Sequence, residues 1–234
     1  MRLDKYLTKT NVGNRKLAKK LIKEKKIYVN DILITSESFQ VNENSNVYMS
    51  TKNGLEKLNY EEYIYIMLNK PKDYVCATKD NLHKSVLELI DDYEERELHI
   101  VGRLDIDTEG LLLITDNGDF THKITSPKSN ISKKYYVEYC GKMNENAEET
   151  VKSGITLDDG TITKPGILER LDEKSAYITI YDGKFHQVKR MFAEIGTHVT
   201  YLKRIKIGDL ELDENLELGS YKKLTEYEKN LSMN

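Results

Sequence analysis

A chain of 234 residues suits two small domains, or one domain of ordinary size with an appendage, and its hydrophobic content of 38% is adequate for a core. It contains no run of about 18 apolar residues, so no membrane span is predicted, and its N-terminus lacks the long apolar stretch of a secretory signal. Two cysteines, Cys76 and Cys140, are too few and too far apart for a disulfide framework or a CxxC metal site. We therefore expect a cytoplasmic protein.

The formal net charge of −3 conceals a strongly basic N-terminus. Residues 1–30 hold ten Lys or Arg against the two acids Asp4 and Glu24, so this segment carries +8 and the rest of the chain −11. Basic residues gathered in one module attract phosphates by releasing the counterions that surround a nucleic acid. The distribution therefore favours a nucleic-acid partner, although the total charge alone would argue against one.

The basic segment also predicts local structure. Asn14 is a favourable N-cap for a helix from about Arg15 to Lys25, and residues 27–34, centred on Asn30-Asp31, are typical of a tight β-hairpin. One helical face carries lysines at i, i+3, i+4 and i+7, namely Lys16, Lys19, Lys20 and Lys23. Such a stripe is often only a solvated helix face. Because this one is not interspersed with glutamate, we interpret it as an RNA-binding face.

Beyond a polar segment around Asn53-Gly54, which we interpret as a linker, the chain alternates predicted strands with a few helices. Strands are predicted at residues 63–68, 98–101, 111–114, 135–140, 167–171, 176–181 and 198–207. Helices are predicted from Ser85, after the turn at residues 116–119, and from His186 to Ile195, where Gly196 ends the helix. Many strands with interspersed helices indicate an α+β fold.

Residues 101–115 form the most informative segment. Two apolar stretches that read as buried strands enclose a short polar segment containing Arg103, Asp105, Asp107 and Thr108. A chain does not need such a cluster merely to turn between strands. We interpret the segment as a rigid scaffold that presents one carboxylate, Asp105, to a substrate.

A calcium site is the competing interpretation of the same segment. Acidic residues and a glycine fall at positions 1, 3, 5, 6 and 12 of an EF-hand loop, namely Asp105, Asp107, Glu109, Gly110 and Asp116. An EF-hand needs helices on both sides, whereas the flanks here are predicted strands, and position 12 is Asp instead of the bidentate Glu. We therefore expect no metal site.

Three segments resemble one family. Residues 102–115 read G-R-L-D-x-D-T-x-G-L-L-L-x-T, residues 133–137 contain K-x-Y-x-V, and residues 182–192 read D-G-x-x-H-Q-V-K-R-M-F. In this order and at this spacing they are similar to the signatures of the RsuA-type pseudouridine synthases, which isomerise uridine in ribosomal RNA. The basic N-terminus, with short helices followed by small strands, resembles the S4 RNA-binding domain of the same family.

The resemblance implies a role for each matched residue. Asp105 would be the catalytic nucleophile, Lys189 the basic residue that pairs with it, and Tyr135 the flat partner for a uracil that has left its stack. Arg103 would contact RNA phosphate or fill the space left by the extruded nucleotide. Arg190 is expected to bind RNA as well, and could exchange places with Lys189.

The expected organisation is an S4-like RNA-binding domain at residues 1–48, a linker at 49–62 and a catalytic domain with a largely antiparallel sheet at 63–234. No cofactor is implied, and we expect a monomer that acts on ribosomal RNA or on an assembling ribosomal subunit. The short chain without a basic tail favours 16S rRNA of the small subunit. The alternatives are a large-subunit rRNA pseudouridine synthase and a non-catalytic S4-type protein that binds rRNA or assists ribosome assembly.

Overall fold

The computed structural model of the protein describes residues 1–10, 12–42, 44–91, 93 and 96–234. The chain divides into two compact units. Unit 1 comprises Met1–Ile64 and Ile90–Leu98, and unit 2 comprises Tyr65–Leu89 and His99–Asn234. Both units combine helices with strands, which confirms the predicted α+β class.

Unit 1 contains two short helices and a four-stranded antiparallel sheet. Its elements are α1 (Leu3–Leu7), α2 (Arg15–Lys23), β1 (Ile27–Val29), β2 (Ile32–Leu33), β3 (Val47–Thr51) and β4 (Gly54–Lys57). The strand order is β2-β1-β3-β4. Apolar side chains from both helices and from the sheet form its core, and those with no exposed surface include Leu3, Leu7, Ala18, Ile22, Ile27 and Val47.

Local signals explain how unit 1 begins. The Asn14 side chain accepts a hydrogen bond from the Leu17 N–H at 2.9 Å, which confirms the predicted N-cap of α2. Asn30 and Asp31 both have positive φ, as a type I′ turn requires, so the predicted hairpin β1–β2 is also confirmed. The fully buried Asp4 carboxylate accepts hydrogen bonds from Arg2, which tie the start of α1 to its N-terminal flank.

The segment predicted as a linker, residues 49–62, instead contains most of β3 and all of β4, and unit 1 extends past residue 48. These strands form a hairpin across the Asn53-Gly54 turn, where Gly54 has a φ of +116°. The composition was misleading because an edge strand buries little: every residue of β4 is exposed. Of the residues in β3 and β4, only Val47, at the start of β3, is fully buried.

Unit 2 is built around one large mixed sheet. Its strands are β5 (Tyr65–Lys70), β6 (Tyr74–Val75), β7 (Lys84–Ser85), β8 (His99–Val101), β9 (Glu109–Thr115), β10 (Lys133–Gly141), β11 (Ile167–Arg170), β12 (Ser175–Ile180), β13 (Thr197–Ile207), β14 (Leu210–Glu211) and β15 (Tyr221–Lys223). Its helices are α3 (Gly118–Thr125), α4 (Ala147–Ser153), α5 (Gln187–Glu194) and α6 (Glu226–Leu231).

The large sheet runs β11-β12-β10-β13-β9-β5-β15, with β8 pairing with β9 and β14 pairing with β13. Neighbouring strands in it are antiparallel except β13 and β9, which run parallel, so the predicted, largely antiparallel sheet is confirmed. The short strands β6 and β7 form a separate parallel pair. The helix predicted from Ser85 is a single 3₁₀ turn, Val86–Leu89.

Strand β9 lies at the centre of unit 2 because its sequence is apolar on both faces. From Gly110 to Thr115 every residue is buried, as expected for a strand covered on both sides. Phe120 and Ile124 of α3 pack in the same cluster as Leu111 and Leu113 of this strand. Within the described residues, no helix is long and apolar enough to cross a membrane.

Candidate active site

The polar segment singled out in the sequence is a loop, residues 102–108, between β8 and β9. Strands on both sides rule out the flanking helices of an EF-hand. Within the loop Asp105 is half-buried, Arg103 and Asp107 are exposed, and Thr108 is buried. The loop therefore presents some side chains outwards while its end is fixed in the protein interior.

A buried lysine holds this loop in shape. Lys70, the last residue of β5, has no exposed surface, and its ammonium group donates to the carbonyl oxygens of Asp105 at 3.1 Å and Thr108 at 2.8 Å. The carbonyls of Pro71 and Ile106 lie 3.0 and 3.4 Å from the same nitrogen. Burial lowers the pKa of Lys70, and nearby acidic groups oppose that effect. The Lys70 ammonium group thus fixes the backbone of the loop that carries Asp105.

Backbone contacts fix the loop further. The Leu104 N–H donates to the Cys76 thiol at 3.3 Å, and the Asp73 N–H donates to the Ile106 carbonyl at 2.9 Å. Gly110, just after the loop, has a φ of +101°, and a Cβ there would lie 2.2 Å from the Arg204 carbonyl oxygen. The motif glycine is therefore required by the close approach of β13 to β9.

The Asp105 carboxylate faces two basic groups from the other motif at residues 182–192. Its Oδ2 lies 3.2 Å from the Lys189 Nζ, and its Oδ1 lies 3.6 Å from the His186 Nε2. Lys189 also binds Asp107, with Nζ to Oδ1 at 2.6 Å. Residues some 80 positions apart in sequence thus meet as one cluster in which a lysine bridges two carboxylates.

The charges of this cluster support one another. Burial by itself disfavours the charged form of Lys189, but the hydrogen bond to Asp107 and the attraction of Asp105 outweigh it and raise the pKa of Lys189. In the same way burial opposes ionisation of Asp107, and the Lys189 ammonium overcomes it, lowering the pKa of Asp107. The pair is therefore held as an ammonium and a carboxylate around neutral pH.

The start of α5 has an unusual backbone. His186 precedes the helix with φ +47° and ψ +34°, in the left-handed region that residues other than glycine seldom adopt. The next residue, Gln187, is buried and fixes the turn: its amide donates to Asp182 and accepts from the Lys184 N–H at 2.8 Å. These contacts aim the His186 ring at Asp105.

Tyr135 lies in β10 with only 7% of its surface exposed. Tyr135 is directly opposite Arg204 in the neighbouring strand β13. On the next two strands the same row continues with Gly110 in β9 and Lys70 in β5. Directly opposed residues point to the same face of a sheet. The Tyr135 side chain is therefore on the face that carries Lys70, the residue that holds the 102–108 loop.

The two arginines predicted to contact RNA differ in their surroundings. Arg103 is exposed at the outside of the loop. Arg190 forms ion pairs with Asp158 and Asp159 and donates to the Phe185 carbonyl oxygen at 3.3 Å. Of the two adjacent residues Lys189 and Arg190, it is Lys189 that lies beside Asp105.

The lysine stripe lies on α2 in unit 1, with surface acids close by. Lys19 and Lys23 lie 3.1 and 3.7 Å from the Glu37 carboxylate, and Lys20 lies 3.8 Å from Glu24. Glu37 is distant in sequence, so the pattern of the helix alone gave no sign of it. Exposed pairs of this kind are weak, and phosphate can compete with the glutamate for the same ammonium groups.

The sequence analysis missed Lys70, whose ammonium group holds the 102–108 loop. It follows an apolar strand and precedes Pro71, a position where a lysine normally marks the exposed end of a strand. Lys70 lies opposite Gly110 at the start of β9. That position could not be recognised in the sequence, because it depends on the pairing of β5 with β9. His186 was likewise expected only to order the start of α5, and its ring also faces Asp105.

Comparison with known proteins shows which families this chain resembles. Residues 64–194 match the family described as RNA pseudouridylate synthase, and residues 1–47 match the S4 domain. The ribosomal small subunit pseudouridine synthase A of Haemophilus influenzae is 41% identical over 97% of each chain, and that of Escherichia coli is 37% identical over 97% of this chain and 98% of its own. A crystal structure of a pseudouridylate synthase, 40% identical and covering 99% of each chain, is similar with a TM-score of 0.70.

Proposed function

Because the chain belongs to the RNA pseudouridylate synthase family, we propose that it isomerises a specific uridine of 16S ribosomal RNA to pseudouridine. The observation that carries the proposal is the Asp105 carboxylate, 3.2 Å from the Lys189 ammonium group, on a loop whose backbone is held by the buried Lys70. The relatives at about 40% identity are named as small-subunit enzymes, which favours 16S rRNA over a large-subunit target.

The reaction makes modest chemical demands. The bond between C1′ of the ribose and N1 of uracil breaks, the base turns, and C1′ joins C5, which loses its hydrogen as a proton while N1 gains one. No electrons are exchanged with an external reagent and no group is supplied from outside. The catalyst needs a carboxylate for the sugar or for proton removal, a surface for the detached base and protection from water.

We assign the nucleophile role to Asp105 and the positioning of its charge to Lys189. The Lys189 ammonium group, 3.2 Å away, attracts this half-buried carboxylate and keeps its orientation fixed. Lysine supplies only a point charge here, because it lacks the planar fork with which arginine grips a carboxylate. Asp107 competes for the same ammonium group, so Lys189 is itself held in place by a second carboxylate.

The remaining assignments concern RNA binding. Tyr135, on the sheet face that carries Lys70, provides the flat surface for the extruded uracil. Arg103, exposed on the catalytic loop, contacts the RNA backbone or the gap left by the flipped nucleotide. Phosphates of the rRNA dock on α2 through Lys16, Lys19, Lys20 and Lys23. Two aspartates engage the guanidinium group of Arg190. Arg190 therefore supports RNA binding by holding the backbone at Phe185.

The cellular setting follows from the substrate. We propose a cytoplasmic monomer that needs no cofactor or metal and that acts on rRNA, free or within an assembling small subunit. A protein that only binds rRNA is disfavoured, because binding does not require Lys189 to be arranged around Asp105.

Mapping of pseudouridine in rRNA from cells with and without the gene tests the function. We expect one 16S rRNA position to lose pseudouridine when the gene is deleted and to regain it with the wild-type gene but not with an Asp105→Asn variant. Unchanged maps at every position of both rRNAs, under several growth conditions, would reject the enzymatic function. A change confined to the large-subunit rRNA would reject the choice of 16S rRNA.

A further inference from the structure

An exposed aromatic ring lies next to the catalytic cluster. Phe185 has 75% of its surface exposed, an unusual state for a phenylalanine. Its ring stacks on the His186 ring with centroids 3.8 Å apart and planes 19° from parallel. His186 in turn lies 3.6 Å from the Asp105 carboxylate. The two rings form a ledge that leads outwards from Asp105.

The backbone at Phe185 and His186 holds the two rings of the ledge in place. His186, whose ring stacks on that of Phe185, adopts the left-handed conformation. A strained residue at a site suggests a functional reason for the strain. The Phe185 carbonyl is also held by the Arg190 guanidinium group, which Asp158 and Asp159 fix in place. The position of the exposed ring is therefore set in advance of any contact with RNA.

We propose that Phe185 is a substrate-binding residue that stacks on the base of a nucleotide flanking the target uridine. The inference rests on the proposed function, because it requires RNA at Asp105. A nucleotide that leaves its stack exposes the face of its neighbour, and an aromatic ring compensates for the missing stacking. One face of Phe185 is covered by His186, and the surface that remains exposed is available to a base.

The stacking is independent of sequence, because every base has a π-face. Phe185 therefore adds affinity and holds the strand beside the catalytic carboxylate, while the choice of uridine depends on other contacts. A ring that acts in this way changes the apparent affinity for RNA more than the chemical step.

The chain contains no tryptophan, so a Phe185→Trp variant carries a single fluorescent reporter at the ledge. Tyr227→Trp is the matched control, because Tyr227 is an aromatic residue of unit 2 with 72% of its surface exposed. On titration with 16S rRNA transcript, excited at the red edge of the tryptophan band, we expect saturable quenching of Phe185→Trp and no comparable change for Tyr227→Trp. Equal signals from the two variants at saturating RNA would overturn the proposal.

Kinetics provide the second measurement. Phe185→Ala should raise KM for 16S rRNA about 5- to 150-fold, the effect of losing roughly 1–3 kcal/mol of stacking at 1.36 kcal/mol per factor of ten, with a smaller change in kcat. Phe185→Tyr should keep the wild-type KM, and Phe185→Leu, apolar but not aromatic, should resemble Phe185→Ala. A wild-type KM in Phe185→Ala would contradict the inference.

The two hypotheses fail differently. If wild-type protein forms pseudouridine but Phe185→Trp shows no specific quenching, only the stacking proposal is rejected. If wild-type protein binds 16S rRNA and forms no pseudouridine in any rRNA, the proposed function is rejected first, and with it the catalytic setting in which the ledge was placed.

Discussion

The Lys70 side chain holds Asp105 by its backbone and not by its carboxylate: the Lys70 ammonium group donates to the Asp105 carbonyl oxygen at 3.1 Å. The carboxylate of Asp105 is thereby left free for Lys189 and for substrate. The buried Lys70 ammonium group binds four carbonyl oxygens and so fixes the loop without pairing with the Asp105 carboxylate. Strand β5 thus sets the position of a residue 35 places further along the chain.

The first prediction concerns this anchor. Lys70→Met leaves buried carbonyl oxygens without donors, so we expect the free energy of unfolding to fall by about 2–4 kcal/mol and kcat to fall because Asp105 loses its fixed position. Urea titration and pseudouridine formation measure the two effects. Lys152→Met, at an exposed lysine of α4, is the control and should be neutral. A Lys70→Met variant as stable and active as the control would show that the loop keeps its shape unaided.

Lys189 provides the second prediction. Lys189→Met removes the ammonium group that holds Asp105, and kcat should fall about 10²- to 10³-fold, as for other single electrostatic contacts in active sites, with little loss of RNA affinity. Lys189→Arg keeps the charge and should retain most of the activity. Single-turnover assays at saturating 16S rRNA separate the chemical step from binding. If Lys189→Met and Lys189→Arg were equally impaired, side-chain shape and not charge would be responsible.

The third prediction concerns pH. Burial, with the nearby Arg204 guanidinium group adding to it, lowers the pKa of Lys133 from its ordinary 10.5 to about 8. Below pH 8 the folded state bears the cost of a partly buried charge. Between the two values the folded state has released the proton and the unfolded state still binds it, so Lys133 makes the free energy of unfolding rise with pH.

Lys133→Met should abolish that contribution. The difference in unfolding free energy, wild type minus variant, should therefore increase between pH 7 and pH 10, when both proteins are titrated with urea at each pH. Subtraction removes the other titrating groups, which the two proteins share. A difference that stays constant across this range would mean that Lys133 titrates alike in the folded and unfolded states.

The fourth prediction concerns the α2 lysines. Changing all four, Lys16, Lys19, Lys20 and Lys23, to Gln should weaken 16S rRNA binding and reduce the slope of log affinity against log salt by about 0.7–0.9 for each phosphate that the variant no longer binds. The control changes four exposed lysines of unit 2 to Gln, giving the same net charge: Lys128, Lys142, Lys152 and Lys174. Equal slopes for the two quadruple variants would assign binding to overall charge instead of to α2.

Periodic and capping signals predicted much of the fold. Asn14 begins α2, Asn30-Asp31 forms the first hairpin, and Gly196 follows α5, because each of these depends on a few neighbouring residues. The edge hairpin β3–β4 was missed because exposed strands lack the apolar alternation that marks buried ones. Strands β14 and β15 are too short, at two and three residues, to carry a pattern.

The candidate site also has parts that local sequence predicted and parts that depend on long-range contacts. The motifs identified Asp105 and Lys189, but their sequence separation gives no distance, and only the fold brings Nζ and Oδ2 to 3.2 Å. The role of Lys70 depends on the pairing of β5 with β9. The ion pairs of Glu37 with Lys19 and Lys23 depend on how the loop after β2 folds back on α2. Long-range contacts of this kind leave no local trace in a sequence.

The most direct test of the central claim uses 16S rRNA transcribed with tritium at C5 of uridine, since joining C1′ to C5 releases that hydrogen to water. Wild-type protein should release tritium in proportion to pseudouridine formed at one position. Asp105→Asn should bind the same RNA with unchanged affinity and release none. Tritium release by Asp105→Asn at the wild-type rate would contradict the assignment of catalysis to this carboxylate.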